Sequence, residues 1–447
     1  MNRDFERVLT AWKARPGRKP LLLKGARQTG KTFLLRRFGT TAYASVCELN
    51  FEAQPAIARV FEGDLDPKRL VADLSLVARF DPAEVLAGRA LLLFDEVQAC
   101  PRAITSLKYF CEQAPQVHVA AAGSLLGVEL AKAASFPAGK VELHTLHPLT
   151  IHEFLDGTGR SGFRERLDAI NEVAPLPEAL HAELTVALRE YLFVGGMPEA
   201  VKAFAERRDF AAVRRIQGDI VAAYRLDFAK HAPASLVPRL VMLWESIPQQ
   251  LARENRRFLF SAVRGGARAR DYEDALLWLE QAGLVHRSFA VSVPKLPLAG
   301  YCNRRLFKLF ALDVGLLAAA ANLAPDTILH GNDVFEEFKG AITEQFVAQQ
   351  LASRTTTEQD GRLYYWRNES TGTEIDFLVE DGGVVPLEVK AGGNARSKSL
   401  AHYRRQFDPP AAVRASLRNL RIDAGLLNIP LYAVPLVDKM LALQDIP

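Results

Sequence analysis

The chain has 447 residues, 49% of them hydrophobic and 24% charged, with 56 Lys and Arg against 52 Asp and Glu. This balance excludes a wholly disordered, collagen-like or coiled-coil chain, and at roughly 150 residues per domain the length allows two to four folded units. The opening stretch from Met1 to Arg7 lacks the apolar core of a secretory signal, and apolar runs such as 314–323 fall short of the roughly 20 residues a membrane helix needs. A soluble, cytoplasmic protein without membrane association is expected.

The net charge of +4 is unevenly spread: residues 1–40 carry +9, residues 41–200 carry −9, residues 201–300 carry +6 and residues 301–447 carry −2. Basic blocks of this kind suit polyanionic partners and equally suit a solvated face or an interface with an acidic domain. The four cysteines, at 47, 100, 111 and 302, have no paired spacing, which suits a reducing compartment and provides neither a disulfide framework nor a zinc site. His144, His147 and His152 cluster in sequence without further ligand spacing and read as ordinary strand and loop histidines.

The first chemical signal is Gly25-Ala26-Arg27-Gln28-Thr29-Gly30-Lys31-Thr32, which has P-loop spacing. The apolar run 21–23 predicts a buried strand before it, and an apolar-patterned helix from about Lys31 to Arg37 follows. Backbone N–H groups of the loop and the helix N-terminus would cradle the phosphates of ATP. Lys31 would reach the β- and γ-phosphates, and the Thr32 hydroxyl would ligate Mg²⁺. Residues 90–96 then read as a strand ending in Asp95-Glu96 at its carboxyl end, where open α/β sheets bind ligands. Asp95 is placed to hold Mg²⁺, and Glu96 to polarise a water for attack on the γ-phosphate. That acid pair favours an NTP hydrolase over a small-molecule kinase. The next apolar strand, 117–122, leads to Ser124, read both as a γ-phosphate sensor and as a helix cap.

Residues 182–251 repeat apolar positions at helical spacing, broken at Gly195-Gly196 and restarted at Pro198, either as a nucleotide-sensing lid or as a helix corner. Arginines 253, 256, 257, 264, 268 and 270 accompany one acid, Glu254, ahead of a helix at about 270–281. A strand at 284–289 and a proline-bounded segment at 293–298 complete a winged-helix pattern. Such a module neutralises nucleic-acid phosphates, although Asp271, Glu273 and Asp274 at the helix start oppose base contacts.

An amphipathic helix is expected over 333–351, with Phe338, Ile342, Phe346 and Leu351 on one side and Glu344 near its middle. Strands at 363–366, 374–379 and 384–389 and a helix at 398–407 follow. Glu388 and Lys390 share one strand face, and an antiparallel neighbour would set Asp376 beside them. This Asp, Glu-x-Lys pattern resembles the PD-(D/E)xK nuclease core. The resemblance implies Glu344, Asp376 and Glu388 around Mg²⁺, with Lys390 steadying the nucleophile or developing charge. A solvated charged hairpin is the competing reading.

Across nearly its whole length the sequence resembles a group of bacterial and archaeal AAA-like P-loop ATPases with a winged-helix segment and a C-terminal domain of unknown function. The resemblance rests on residues 25–32, 93–98, 122–127, 191–200, 266–276 and 293–298. It implies an extra strand between the two Walker strands, Glu96 as catalytic base, and a winged helix that either contacts DNA or packs between domains. Arg102, Arg189 and Arg225 are candidates for an arginine finger.

The expected architecture is α/β: a parallel P-loop sheet with helices on both faces over 1–180, a helical lid and winged helix over 181–310, and a smaller nuclease-like α/β domain over 311–447. The expected activity is Mg²⁺-dependent ATP hydrolysis coupled to a nuclease-like domain acting on or gripping DNA or RNA. The alternative is an ATP-gated scaffold whose nuclease-like domain is inert. Oligomeric state is open, a homo-oligomer included.

Overall fold

The structure is a computed structural model describing residues 2–125, 127–128, 137–253, 257–329, 336–354, 361–392 and 398–444. Leu126, Glu254 and Arg256 of the sequence motifs lie outside them. Two sheets organise the chain. The first comprises β1 (Leu21–Lys24), β2 (Ser45–Asn50), β3 (Ala90–Asp95), β4 (His118–Ala122) and β5 (Glu142–Thr145) in the order β2-β3-β4-β1-β5. Every pairing in it is parallel, and β4 separates the two Walker strands. Alternate side chains serve opposite faces of the sheet. Leu22, Leu92, Phe94 and Ala121 join one core cluster, while Leu21, Leu23, Leu91, Leu93, Ala120 and Ala122 join another. Burial on both faces explains why these strands are almost uninterrupted apolar runs.

Helices Glu178–Val194, Pro198–Arg207, Phe210–His231 and Val237–Leu251 follow. The turn between the first two is built on close approach. A Cβ on Gly195, whose φ is 72°, would lie 2.1 Å from Asp313 Oδ1, and one on Gly196 would lie 2.1 Å from Leu149 O. Asp313 is fully buried and accepts hydrogen bonds from Gly196 N at 2.6 Å, Leu316 N at 3.0 Å and Gln349 Nε2 at 2.9 Å. The double glycine is therefore a packing corner that fastens the middle helices to later elements.

The second sheet is mixed, in the order β12-β13-β11-β10-β9-β8-β6-β7. Its strands are β6 (Val285–Val291), β7 (Cys302–Ala311), β8 (Leu363–Arg367), β9 (Glu374–Glu380), β10 (Val384–Val389), β11 (Val413–Ser416), β12 (Arg421–Asp423) and β13 (Leu426–Pro430). Helices Val237–Leu251, Phe260–Val263 and Ala269–Gln281 precede the antiparallel β6–β7 hairpin. The second strand of that hairpin is 302–311, whereas 293–298 contains no strand. β6 also pairs in parallel with β8, so the sheet runs across the expected boundary at 310–311. One core cluster likewise extends from Leu149 through Phe307, Phe346 and Val413 to Leu441.

The expected amphipathic helix is Glu336–Ala352, and residues 341–350 are buried on all sides. Its polar residues bond neighbouring backbone instead of facing water. Gln345 both accepts from Ala311 N and donates to Ala311 O at 2.8 Å, Gln349 accepts from Val314 N at 2.8 Å, and Gln350 accepts from Ile151 N at 3.0 Å. Among the described residues no helix is long and apolar enough to cross a membrane.

Candidate functional site

The loop after β1 turns sharply into helix Lys31–Ala42. Gly25, at φ 147°, passes so close to Leu146 that a Cβ would lie 2.4 Å from its carbonyl oxygen, and Gly30 caps the helix in the left-handed region. Lys31 is buried and donates to the carbonyls of Gly25 at 2.9 Å and Ala26 at 2.7 Å. Burial lowers its pKa to about 8, against the opposing pull of Glu96 and Asp95. The loop is braced from within, where Thr29 Oγ1 donates to Ala26 O at 3.0 Å, and from outside, where Arg3 donates to Thr29 O at 3.0 Å.

β3 delivers the acids. Thr32 Oγ1 donates to Asp95 Oδ1 at 2.8 Å, and Asn50 Nδ2 donates to Asp95 Oδ2 at 2.8 Å. Burial raises the Asp95 pKa, a shift that the Thr32 and Asn50 hydrogen bonds counter. Glu96 adopts φ 48°, uncommon for a residue with a Cβ and a local strain of the kind found at functional sites. Its Oε2 accepts from Gln98 Nε2 at 2.5 Å and from Ser124 Oγ at 3.4 Å. Hydroxyl and carboxylate oxygens of Thr32 and Asp95 form a hard donor set suited to Mg²⁺. Asn50 was absent from the sequence reading, and Gln98 stood there only within the 93–98 motif, with no role of its own; Asn50 lies opposite Asp95 in the β2–β3 register, which the sequence does not display.

Arg27 links the loop to the helices beyond. It donates to Asp227 Oδ1 at 2.5 Å and to Ser124 Oγ at 3.4 Å, while Tyr224 Oη donates to Arg27 O at 2.9 Å. Asp227 and Tyr224 both belong to helix Phe210–His231. Of the candidate finger residues, Arg102 donates to the carbonyls of Phe61 and Gly63, Arg225 pairs with Glu245 at 2.9 Å, and Arg189 is exposed on helix Glu178–Val194. A cavity of about 590 Å³ behind the loop is lined by Lys24, Gly25, His147, Glu273 and His286, so the loop and helix Ala269–Gln281 share its walls. His147 and His286 lie 5.6 Å apart, and burial lowers their pKa values to about 3 and about 4. His152 instead contacts the Tyr432 carbonyl at 3.2 Å.

At the second candidate site, β9 and β10 pair antiparallel with Phe377 opposite Leu387, which carries Asp376 alongside Glu388. Asp376 Oδ2 accepts from Val389 N at 2.7 Å, and Lys390 Nζ pairs with Glu388 Oε1 at 2.6 Å. The centre of the cluster is Lys308, a residue the sequence reading did not single out. Its Nζ donates to Glu344 Oε1 at 2.7 Å and lies 3.7 Å from Glu374 Oε2 and 3.9 Å from Asp376 Oδ1. The expected metal set of Glu344, Asp376 and Glu388 therefore does not converge. An ammonium group stands among the acids, and no group of three or more His, Cys, Asp or Glu among the described residues is arranged to hold a metal. A divalent cation does not fit this donor set.

Comparison with known proteins divides along the same lines. Residues 17–155 match a family model described as an AAA domain. The matched segment holds both the loop 25–32 and the Asp95-Glu96 pair. Residues 185–327 and 339–434 match two models, each described as a domain of unknown function (DUF8612 and DUF4143). No curated protein matches the chain. Among solved structures, the Walker-type ATPase paby2304 of Pyrococcus abyssi is 14% identical with a TM-score of 0.44, the match covering 72% of this chain and 95% of that one. The Aeropyrum pernix ORC1 protein, solved in complex with DNA, is 18% identical with a TM-score of 0.27, over 71% of this chain and 90% of that one.

Proposed function

We propose that the amino-terminal site binds ATP with Mg²⁺ and hydrolyses it, and that turnover is transmitted through helix Phe210–His231 to the rest of the chain. The observation that carries this reading is the Thr32–Asp95 contact of 2.8 Å beside Glu96, which joins the P-loop to the acidic end of β3. Thr32 and Asp95 would hold Mg²⁺, which supplies charge neutralisation on the phosphates. The amides of residues 25–32 and the Lys31 ammonium bind the phosphate oxygens. Glu96 accepts a proton from the attacking water, held in orientation by Gln98, and Ser124 contacts the γ-phosphate. Arg27 offers its guanidinium to the same phosphates, in exchange for its contact with Asp227, so nucleotide binding releases the helix that carries Asp227 from the loop.

The test is phosphate release without any acceptor. It should require Mg²⁺ and fall by about 100-fold or more in Glu96→Gln, while nucleotide binding persists. Release that needs a second substrate, or that survives Glu96→Gln, overturns the reading.

A second part of the proposal concerns the later domains. Exposed Arg264, Arg268 and Arg270 support a winged-helix surface that neutralises nucleic-acid phosphates, while exposed Asp271, Glu273 and Asp274 argue against reading bases. The position of Lys308 favours gripping over cutting. Offered mixed DNA and RNA with Mg²⁺, the protein should retain them intact; cleavage lost in Asp376→Ala would instead make the C-terminal domain a nuclease.

A further inference from the structure

The C-terminal carboxylates are arranged around something, and that something is part of the chain. Glu374 and Asp376 are two residues apart on β9 and so present to the same face. Glu344 reaches that face from helix Glu336–Ala352, and it is fully buried. Lys308 enters from β7, placed by its pairing with Ser288 of β6, and is only 2% exposed. Its ammonium lies within 4 Å of all three acids, at 2.7, 3.7 and 3.9 Å, and 5.0 Å from the centre of the Tyr365 ring. Arg367 adds a second cation through its pairing with Glu374.

We infer that Lys308 is the resident cation of this site: its ammonium takes the place of a divalent metal among Glu344, Glu374 and Asp376, and removing it opens a divalent-cation site. The reasoning is electrostatic. Glu344 is buried and Glu374 and Asp376 are half-buried; carboxylates so placed need a compensating charge, and one tethered by the backbone is present whatever the metal concentration in solution. A divalent ion would have to displace the ammonium from its 2.7 Å contact and leave a buried lysine facing a like charge. Oxygen ligands that bind Ca²⁺ or Mn²⁺ would then be created by deleting a positive charge, not by adding a ligand. The inference does not depend on ATP hydrolysis at the amino-terminal site.

Mn²⁺ titrated into the full-length protein without nucleotide, with free Mn²⁺ read by its paramagnetic resonance signal, tests this directly. Wild type and Asp376→Asn should bind the same number of equivalents. Lys308→Met should bind one more, and Lys308→Met/Asp376→Asn should lose it again. A wild-type equivalent that disappears in Asp376→Asn overturns the inference, as does a folded Lys308→Met variant that gains none. If Lys308→Met does not fold by circular dichroism, the comparison of wild type with Asp376→Asn decides alone.

Discussion

Lys31 and Lys308 are both buried lysines close to two or more acids, yet they are held in opposite ways. Lys31 donates to two backbone carbonyls of its own loop, and its acids, Asp95 and Glu96, are occupied by Thr32, Asn50, Gln98 and Ser124. Lys308 is bonded directly to a carboxylate and flanked by two more. A carbonyl is a weak partner for an ammonium and yields readily to a phosphate; a buried carboxylate is a strong one and does not. The same residue type thus makes one site receptive to an anion and closes the other to a cation.

Exchanging each lysine for methionine is the strongest way to break this comparison. Lys31→Met should lower phosphate release by about 100-fold or more, since the ammonium is proposed to stabilise charge on the phosphates. Its stability to urea should be equal to wild type or higher, because burial already disfavours the charged lysine. A large loss of stability would show that Lys31 is structural.

Lys308→Met should do the reverse, costing about 3 kcal/mol in urea unfolding by taking the ammonium away from buried Glu344 while sparing phosphate release. Adding Glu344→Leu should return most of that loss, because an apolar pair replaces an ion pair of similar volume. No recovery in the double variant would mean that Glu344 is held mainly by other partners.

The smallest expected effect is in pH dependence. The Lys31 pKa is about 8 in the folded chain against an ordinary value of 10.5, so between these values the unfolded chain holds the extra proton. This group's contribution to stability therefore rises with pH across that window and is lost as pH falls through about 8. ATP affinity, which needs the ammonium, should fall over the same window. Lys31→Met should flatten both trends, and parallel instead of opposed trends would reject the assignment.

The sequence revealed the amino-terminal site well because its chemistry is local. Gly25 to Thr32 is one loop, and Asp95-Glu96 ends one apolar strand. The supporting residues were hidden for a geometric reason: Asn50 meets Asp95 through strand register, and Asp227 meets Arg27 from a helix remote in the chain. In the C-terminal half the strands bearing Asp376 and Glu388 were readable from alternation, but β7 was not. Of its first residues, Cys302 to Arg305, all but Cys302 are exposed and polar, and only the second half of the strand is buried. A strand half in solvent lacks the period-two pattern, and with β7 unread its Lys308 had no predicted neighbours. Glu344 was found, but its helix was expected to be amphipathic, with only one side buried, because buried glutamines look the same in sequence as exposed ones.

The parallel pairing of β6 with β8 has a practical consequence for dissecting the protein. A fragment beginning at residue 311 would lose both β6 and β7, leaving β8 as a raw sheet edge. That edge would display Leu363, Tyr364, Tyr365 and Trp366, all buried in the intact chain. Unpaired strands of such composition recruit one another, so the fragment is a self-associating species and a poor surrogate for the domain. A cut placed ahead of helix Val237–Leu251 keeps the sheet whole and carries Lys308 along with the acids it neutralises.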